Sequence, residues 1–538
     1  MTDLEARAPA TTRWLGPEIP GGNGHADATG ATPVESRRRL WVDAAGLVGL
    51  VVLLAFLWGR GRHVWFWLDE GISVGISSHP LTHIPSLLRQ DGSPPLYYLL
   101  LHVWMALFGT SDEATHVLSL LFALATVPVG FWAGRSLFGR RAGWITAVLV
   151  AVNPFIAAYA NETRMYTLVA LLSLVGTATF LHAFVFGRRK YLPVFTASLA
   201  VLLYTHNWAL FFALGAGVAL LACIALAEPD RRRRMFVDGL LAFGGAALVY
   251  VPWLPTLAYQ VAHTGAPFTL RPTLLQVRED LMNLLGGPEG VIILGLGSAV
   301  AFMALFRRPW NTKAVGVLVA ALIVGVAVIS GWGLSRHDAV WVYRYLAVVV
   351  GPLVLAVAVG LAEGGRTAVA ALGLAVLFLA PIGVKGQAYE KSNVKDVVDH
   401  LGPALAPGDL VVTDFGRVPV LRHYLGPSLT YAETTGPVRD PQVSDQRDAT
   451  RRLDEGHPET TIRPAVDALR TGSHVLVVCS AGELPLDATP FLRLIFERCD
   501  QALAIPSEDA HFRLDGTVTA PPYGSNSPVD GYLFTRVS

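Results

Sequence analysis

The sequence predicts an α-helical polytopic membrane protein carrying a soluble α/β domain at its C-terminal end. Three observations carry that expectation. The chain of 538 residues is 52% hydrophobic and only 15% charged, against roughly 25% charged residues in soluble globular proteins. Its mean hydropathy is +0.46. Apolar runs of about 20 residues, the length that crosses a bilayer, recur as far as residue 384, after which the pattern becomes charged and Pro-rich.

Taken in order, residues 1–36 are rich in Pro, Gly, Ala and Thr and read as a disordered cytoplasmic tail. Arg37-Arg38-Arg39 then precede the run from Leu40 to Trp58, which has a full span's length and no small-residue cleavage site, so it reads as an anchor. Eleven candidate spans follow this logic, near 40–59, 113–135, 142–160, 165–186, 191–206, 208–227, 236–254, 289–306, 314–333, 345–362 and 367–384. Basic clusters fall in every second gap: Arg37 to Arg39, Arg135/Arg140/Arg141, Arg188/Arg189/Lys190, Arg231 to Arg234, Arg307/Arg308/Lys313 and Arg366. These gaps face the cytoplasm by the positive-inside rule. The alternate gaps face outward, and they begin with a first outer loop, 60–112, that opens on "WFWLDEGIS". Within that loop "SPPLYYLLLHVWMALFG", residues 93–109, is short for a crossing and carries His102 mid-run, so it reads as a juxtamembrane or re-entrant helix.

From 385 to 538 the chain reads as an α/β domain. "DLVVTDF", "HVLVVCS" and "GYLFTRV" read as buried strands, while 393–405, 417–425 and 489–499 have helical spacing. An odd number of spans from a cytoplasmic start places this domain outside the cell membrane, of bacterial type. Of the three cysteines, Cys223 lies in an apolar run, which leaves Cys479 and Cys499 either bridged or unpaired. With 42 basic and 41 acidic residues the net charge is +1, so no global field argues for nucleic acid. Neither a repeat of 20 to 50 residues nor an inverted repeat is evident.

The candidate chemistry gathers at the outer span ends. Asp69 and Glu70 start the first outer loop, and Asp91, Glu162, Arg164, Tyr166, His206, Asn207, Tyr343 and Arg344 share their face of the membrane. Ionisable groups at this depth are costly unless paired or used. The letters alone prove little, since "LDEG" recurs at 453–456, where Asp454 and Glu455 read as surface charges. A carboxylate desolvated beside a second carboxylate suits a general base, and guanidinium groups suit a phosphate leaving group. Arg344 and Arg164 are the candidates for that role, with an Arg164–Glu162 ion pair or snorkelling to lipid headgroups as the structural alternatives for the latter. Trp65-Phe66-Trp67 reads as an interfacial aromatic belt.

These residues resemble a family. "WLDEG", "DGSPPLYYLLLHVWMALFG", "RSLFGRRAGWITAVLVAVNPFIAAYANETRMYTL", "YTHNWALFF" and "VYRYL", in that order over about 40–355, are similar to the GT-C membrane glycosyltransferases. The likeness is to the family 39-like branch that holds protein O-mannosyltransferase-like and aminoarabinose-transferase-like enzymes. It implies a transferase that moves a sugar from a polyprenyl-phosphate donor to an extracytoplasmic glycan, lipid or protein acceptor, and a single base opposite a preformed leaving group predicts inversion. It also implies Asp69 as base with Glu70 beside it, and the other outer-face residues as substrate-binding. Where such enzymes show Asp-x-His-Pro-Pro this chain has Asp91-Gly92-Ser93-Pro94-Pro95, so Ser93 replaces the imidazole. No cofactor is firmly implied, although a carboxylate cluster would admit a divalent cation. Two other classes fit a polytopic chain: a transporter or lipid flippase, and a noncatalytic envelope scaffold.

Overall fold

A computed structural model of the chain describes residues 33–305, 311–338, 340–386, 391–521 and 527–538. The expected tail up to residue 32 and the Arg307/Arg308 cluster lie outside the described residues. Among the described residues eight helices are long and apolar enough to cross a membrane. They are Arg37–Gly61, Asp112–Phe138, Tyr166–Val185, Ala209–Leu226, Pro229–His263, Thr312–Leu334, Tyr343–Glu363 and Gly365–Gly383. A pair bent by 67°, Leu274–Asn283 with Gly287–Ala299, makes a ninth if it is counted as one span. The chain is a multi-pass membrane protein.

Two of the eleven expected spans are shorter or broken. The stretch near 142–160 splits into Arg140–Ala151 and Pro154–Tyr159. Asn153 stops the first piece and caps the second, accepting the Ile156 N–H through its side chain at 3.0 Å, and Pro154 at the first helical position has no N–H to lose. The stretch near 191–206 reduces to the 12 residues Leu192–Leu203. In the stretch expected as the first outer loop, Leu96–Phe108 has 13 residues, about 20 Å of helix against the roughly 30 Å of a hydrocarbon core. Together with Leu68–Ser77 and Ile84–Asp91 it builds the loop expected to hug the membrane.

The most enclosed spans are Tyr166–Val185 and Tyr343–Glu363. They meet closely at Gly351, where a Cβ would lie 2.3 Å from the Leu174 backbone nitrogen, and Ser173 accepts the Gly351 N–H at 3.2 Å. That approach fixes Arg344, at one end of its helix, beside Tyr166, at the end of the other.

The C-terminal domain holds one six-stranded sheet: β1 Leu410–Thr413, β2 Thr430–Glu433, β3 Gly436–Pro437, β4 His474–Ser480, β5 Phe512–Val518 and β6 Val529–Arg536. The order is β3-β2-β1-β4-β6-β5, with β1 parallel to β2 and β4 and the remaining pairs antiparallel. The middles of β1 (Leu410–Val412) and β4 (Val475–Val478) are buried, unbroken apolar runs, as strands in the interior of a covered sheet require. Cys479 in β4 and Cys499 in the helix Pro490–Ser507 are bridged.

This domain sits on the stretch 60–112 between the first two long helices. A Cβ on Gly71 would lie 2.6 Å from Val420 Cα, and one on Gly75 would lie 2.0 Å from the Gln442 carbonyl oxygen. Tyr424 donates to Asp112 at 2.8 Å and accepts the Phe66 N–H at 2.7 Å. Phe66 is fully buried against His423 and Tyr424, and the Lys395 ammonium lies over the Trp65 ring. Part of the aromatic prefix expected as an interfacial belt, Trp65 and Phe66, forms a seam between the two parts of the chain.

Candidate active site

The acidic pair opens a helix. Trp67 is extended, Leu68–Ser77 follows, and Asp69 and Glu70 occupy its first turn, where the helix dipole and free N–H groups favour negative charge. Glu70 reaches back toward the Trp67 N–H at 3.4 Å. Its other oxygen takes His116 Nε2 at 2.7 Å and the Thr163 N–H at 2.7 Å. The side chain is buried, and the pair has no free face.

Asp69 looks the other way. Its Oδ2 lies 3.1 Å from Arg344 Nη2 and 3.9 Å from Arg164 Nε. Neither that carboxylate oxygen nor Arg164 Nε makes a hydrogen bond. Arg344 donates to the Tyr166 hydroxyl at 2.9 Å and lies over the Trp67 ring at 5.4 Å. Arg164 donates to Ser73 Oγ at 3.1 Å and to the Tyr98 hydroxyl at 3.2 Å, while Tyr98 donates to Asp91 at 3.1 Å. Two guanidiniums and one carboxylate thus share a partly exposed cleft, with 11 to 17% of each side chain accessible. Pairing is close, and spare donor capacity remains.

The sequence-predicted residues divide accordingly. Asp69, Arg164, Tyr166 and Arg344 converge, with Asp91 joined through Tyr98. Glu162 pairs with Lys391 at 2.6 Å, so the Arg164–Glu162 alternative is not the arrangement adopted. His206 stacks its edge among the Tyr166 and Tyr345 rings and accepts the Trp208 N–H at 3.1 Å. Asn207 donates to the Gly92 carbonyl at 2.9 Å, and its own oxygen is buried without a hydrogen bond. Tyr343 packs on Phe155, 5.6 Å between ring centres. Asp454 and Glu455 of the second "LDEG" are exposed.

Burial and charge set the carboxyls apart. Burial raises the Glu70 carboxyl, but Lys391 and His116 outweigh it and hold the group below the usual range. The expectation that Glu70 and Asp69 crowd each other is therefore corrected, since consecutive side chains on this helix face different partners. Burial holds Asp91 up against Arg164, and holds Glu162 up against Lys391.

Sequence reasoning missed Ser73, Tyr98, His116 and Lys391. Ser73 stands four residues after Asp69 on the same helix face, a spacing that could have found it. Lys391 is 229 residues from Glu162, and no local signal exists. Among the described residues no group of three or more His, Cys, Asp or Glu side chains could hold a metal ion.

Neither a protein-family model nor a curated protein matches this chain. Solved structures do. ArnT from Cupriavidus metallidurans bound to undecaprenyl phosphate superposes with a TM-score of 0.56 at 14% identity, over 93% of this chain and 98% of that one. The chain has the GT-C fold. Archaeal oligosaccharyltransferase AglB from Archaeoglobus fulgidus, in complex with an inhibitory peptide and a dolichol-phosphate, gives 0.54 at 11% identity over 90% of this chain and 80% of that one. Mycobacterial arabinofuranosyltransferase AftD gives 0.53 at 12% identity, over 92% of this chain and 40% of that larger one. In this GT-C fold the acidic helix, the stretch 60–112 that contains it and the C-terminal domain surround the Asp69 cleft.

Proposed function

We propose that this protein is an integral-membrane glycosyltransferase that moves a sugar from a polyprenyl-phosphate donor to an acceptor outside the cell membrane. The observation that carries the reading is the Asp69 carboxylate set against Arg344 and Arg164 at a helix end where hydrocarbon meets water. A prenyl tail stays in the bilayer, so its phosphate and sugar are reachable only at that depth. Two guanidiniums match a phosphate in charge and planar geometry. When phosphate takes them, Asp69 loses its ion pair and is left beside the sugar.

In the proposed step, the acceptor O–H gives its proton to Asp69. The acceptor oxygen bonds the anomeric carbon as the carbon–oxygen bond to phosphate breaks. The phosphate leaves with the electron pair, held by Arg344 and Arg164. One carboxylate opposite a preformed leaving group gives inversion. Glu70, fully engaged by His116 and Thr163, is a positioning residue in this reading, and Asp91, Glu162, Tyr166, His206, Asn207 and Tyr343 shape the substrate cleft. GT-C relatives in fold that carry undecaprenyl or dolichol phosphate support a lipid-phosphate donor. The test is Asp69→Asn in membranes supplied with labelled polyprenyl-phosphate sugars. Transfer should drop by about 10²–10⁴-fold, the usual contribution of a general base, with unchanged expression and melting. Full activity in that variant sinks the assignment of the base, and transfer absent from wild type with every sugar offered sinks the donor.

A further inference from the structure

At the membrane face opposite the Asp69 cleft, a groove of about 520 Å³ opens between the helix Arg140–Ala151 and the helix Gly365–Gly386. Its walls are Ile145, Val148, Val369 and Leu372, and its rim is basic. The groove is open on its outer side, so in a bilayer the surrounding acyl chains reach its apolar lining, and water there would find few polar partners. It takes hydrocarbon.

The rim asks for an anion. Both helices begin there, and neither holds an acidic residue in its first turn. The first, after Gly139, also has no side-chain cap. Helix starts with free N–H groups attract phosphate. Arg141 is exposed and donates to the Gly365 carbonyl at 2.9 Å, and Arg366 is the next residue along. Neither makes an ion pair among the described residues. Arg140 is held upright by buried Asp43, which also accepts from Trp144 Nε1 at 2.9 Å and pairs with Arg135. Glu363, the acidic residue closest in sequence to Arg366, is paired with Lys313 at 2.7 Å. Positive charge at this rim is therefore in excess, and a Cβ on Gly139 or Gly365 would meet nothing within 4 Å.

We propose that this groove is a binding site for an anionic diacyl phospholipid, its phosphate at Arg141, Arg366 and the two helix starts, its acyl chain between Val148 and Val369. Charge complementarity over an apolar trough selects this occupant over a zwitterionic lipid. The site lies on the opposite face from the proposed chemistry and does not depend on it.

Native mass spectrometry of the detergent-purified full chain, titrated with phosphatidylglycerol or phosphatidylethanolamine, tests the site. Wild type should retain one phosphatidylglycerol in preference to phosphatidylethanolamine. Arg141→Ala with Arg366→Ala should weaken that retention about tenfold or more, and the Lys/Lys pair should keep most of it. Val369→Trp, at an exposed position, should block the trough without changing the melting temperature. Equal retention of the two lipids by wild type, undiminished phosphatidylglycerol binding in the Ala/Ala variant, or displacement of phosphatidylglycerol by a polyprenyl phosphate would each overturn the proposal.

Discussion

Asp69 and Glu70 are neighbours with divided tasks, and the division follows from helix geometry. Successive side chains point about 100° apart around a helix, so one carboxylate meets Arg344 and the other meets His116. Glu70 is closed in by charge-assisted bonds, each of which contributes about 1.5–3 kcal/mol. Glu70→Gln should accordingly lower stability by about that amount while leaving measurable transfer, whereas Asp69→Asn should do the reverse. Thermal melting and a transfer assay on the same two preparations separate the roles. A Glu70→Gln protein that melts like wild type but transfers nothing would place the chemistry on Glu70. The second "LDEG" shows why the letters do not suffice: it ends a helix, and its acids face solvent.

At the scale of elements, the helix Leu68–Ser77 lies under the C-terminal domain with no room to spare. Gly75→Ala would drive a methyl against the Gln442 backbone, an overpacking cost of about 1–3 kcal/mol. Hydrogen exchange in Leu68–Ser77 and Val418–Leu425 should quicken together. Unchanged exchange in both would show that the contact is dispensable. Glu433, at the end of β2, accepts the Gly416 N–H at 2.9 Å, and Gly416 borders Leu68 of the acidic helix. Burial pushes its carboxyl from an ordinary 4.5 up to about 7. The folded protein therefore binds more protons than the unfolded chain between those values, and this group's support is lost as pH rises from about 4.5 through 7. Melting temperature across that window should fall in wild type and fall less in Glu433→Gln; parallel curves would remove Glu433 as the cause.

For the whole molecule, docking puts the C-terminal domain and Asp69 on one side of the membrane. In the proposed orientation that side is outside. Leu486, fully exposed, carries the test as Leu486→Cys, with Arg38→Cys at the opposite end. The native cysteines stay silent, Cys223 being buried and the other two bridged. A membrane-impermeant maleimide applied to intact cells should label position 486 and reach position 38 only after lysis. The opposite pattern would invert the topology and remove the proposed base from the acceptor's side. Much of this architecture was legible along the chain. Span length and strand periodicity are local properties, so they marked most crossings, the acidic helix start that follows the first of them, and β1, β4 and β6. Tertiary structure alone decided which carboxylate faces the guanidiniums and the seam at Phe66. It also brought Lys391 to Glu162. Those depend on pairings between residues tens to hundreds apart, and such contacts are selected by packing and charge in the folded chain, where no local pattern records them.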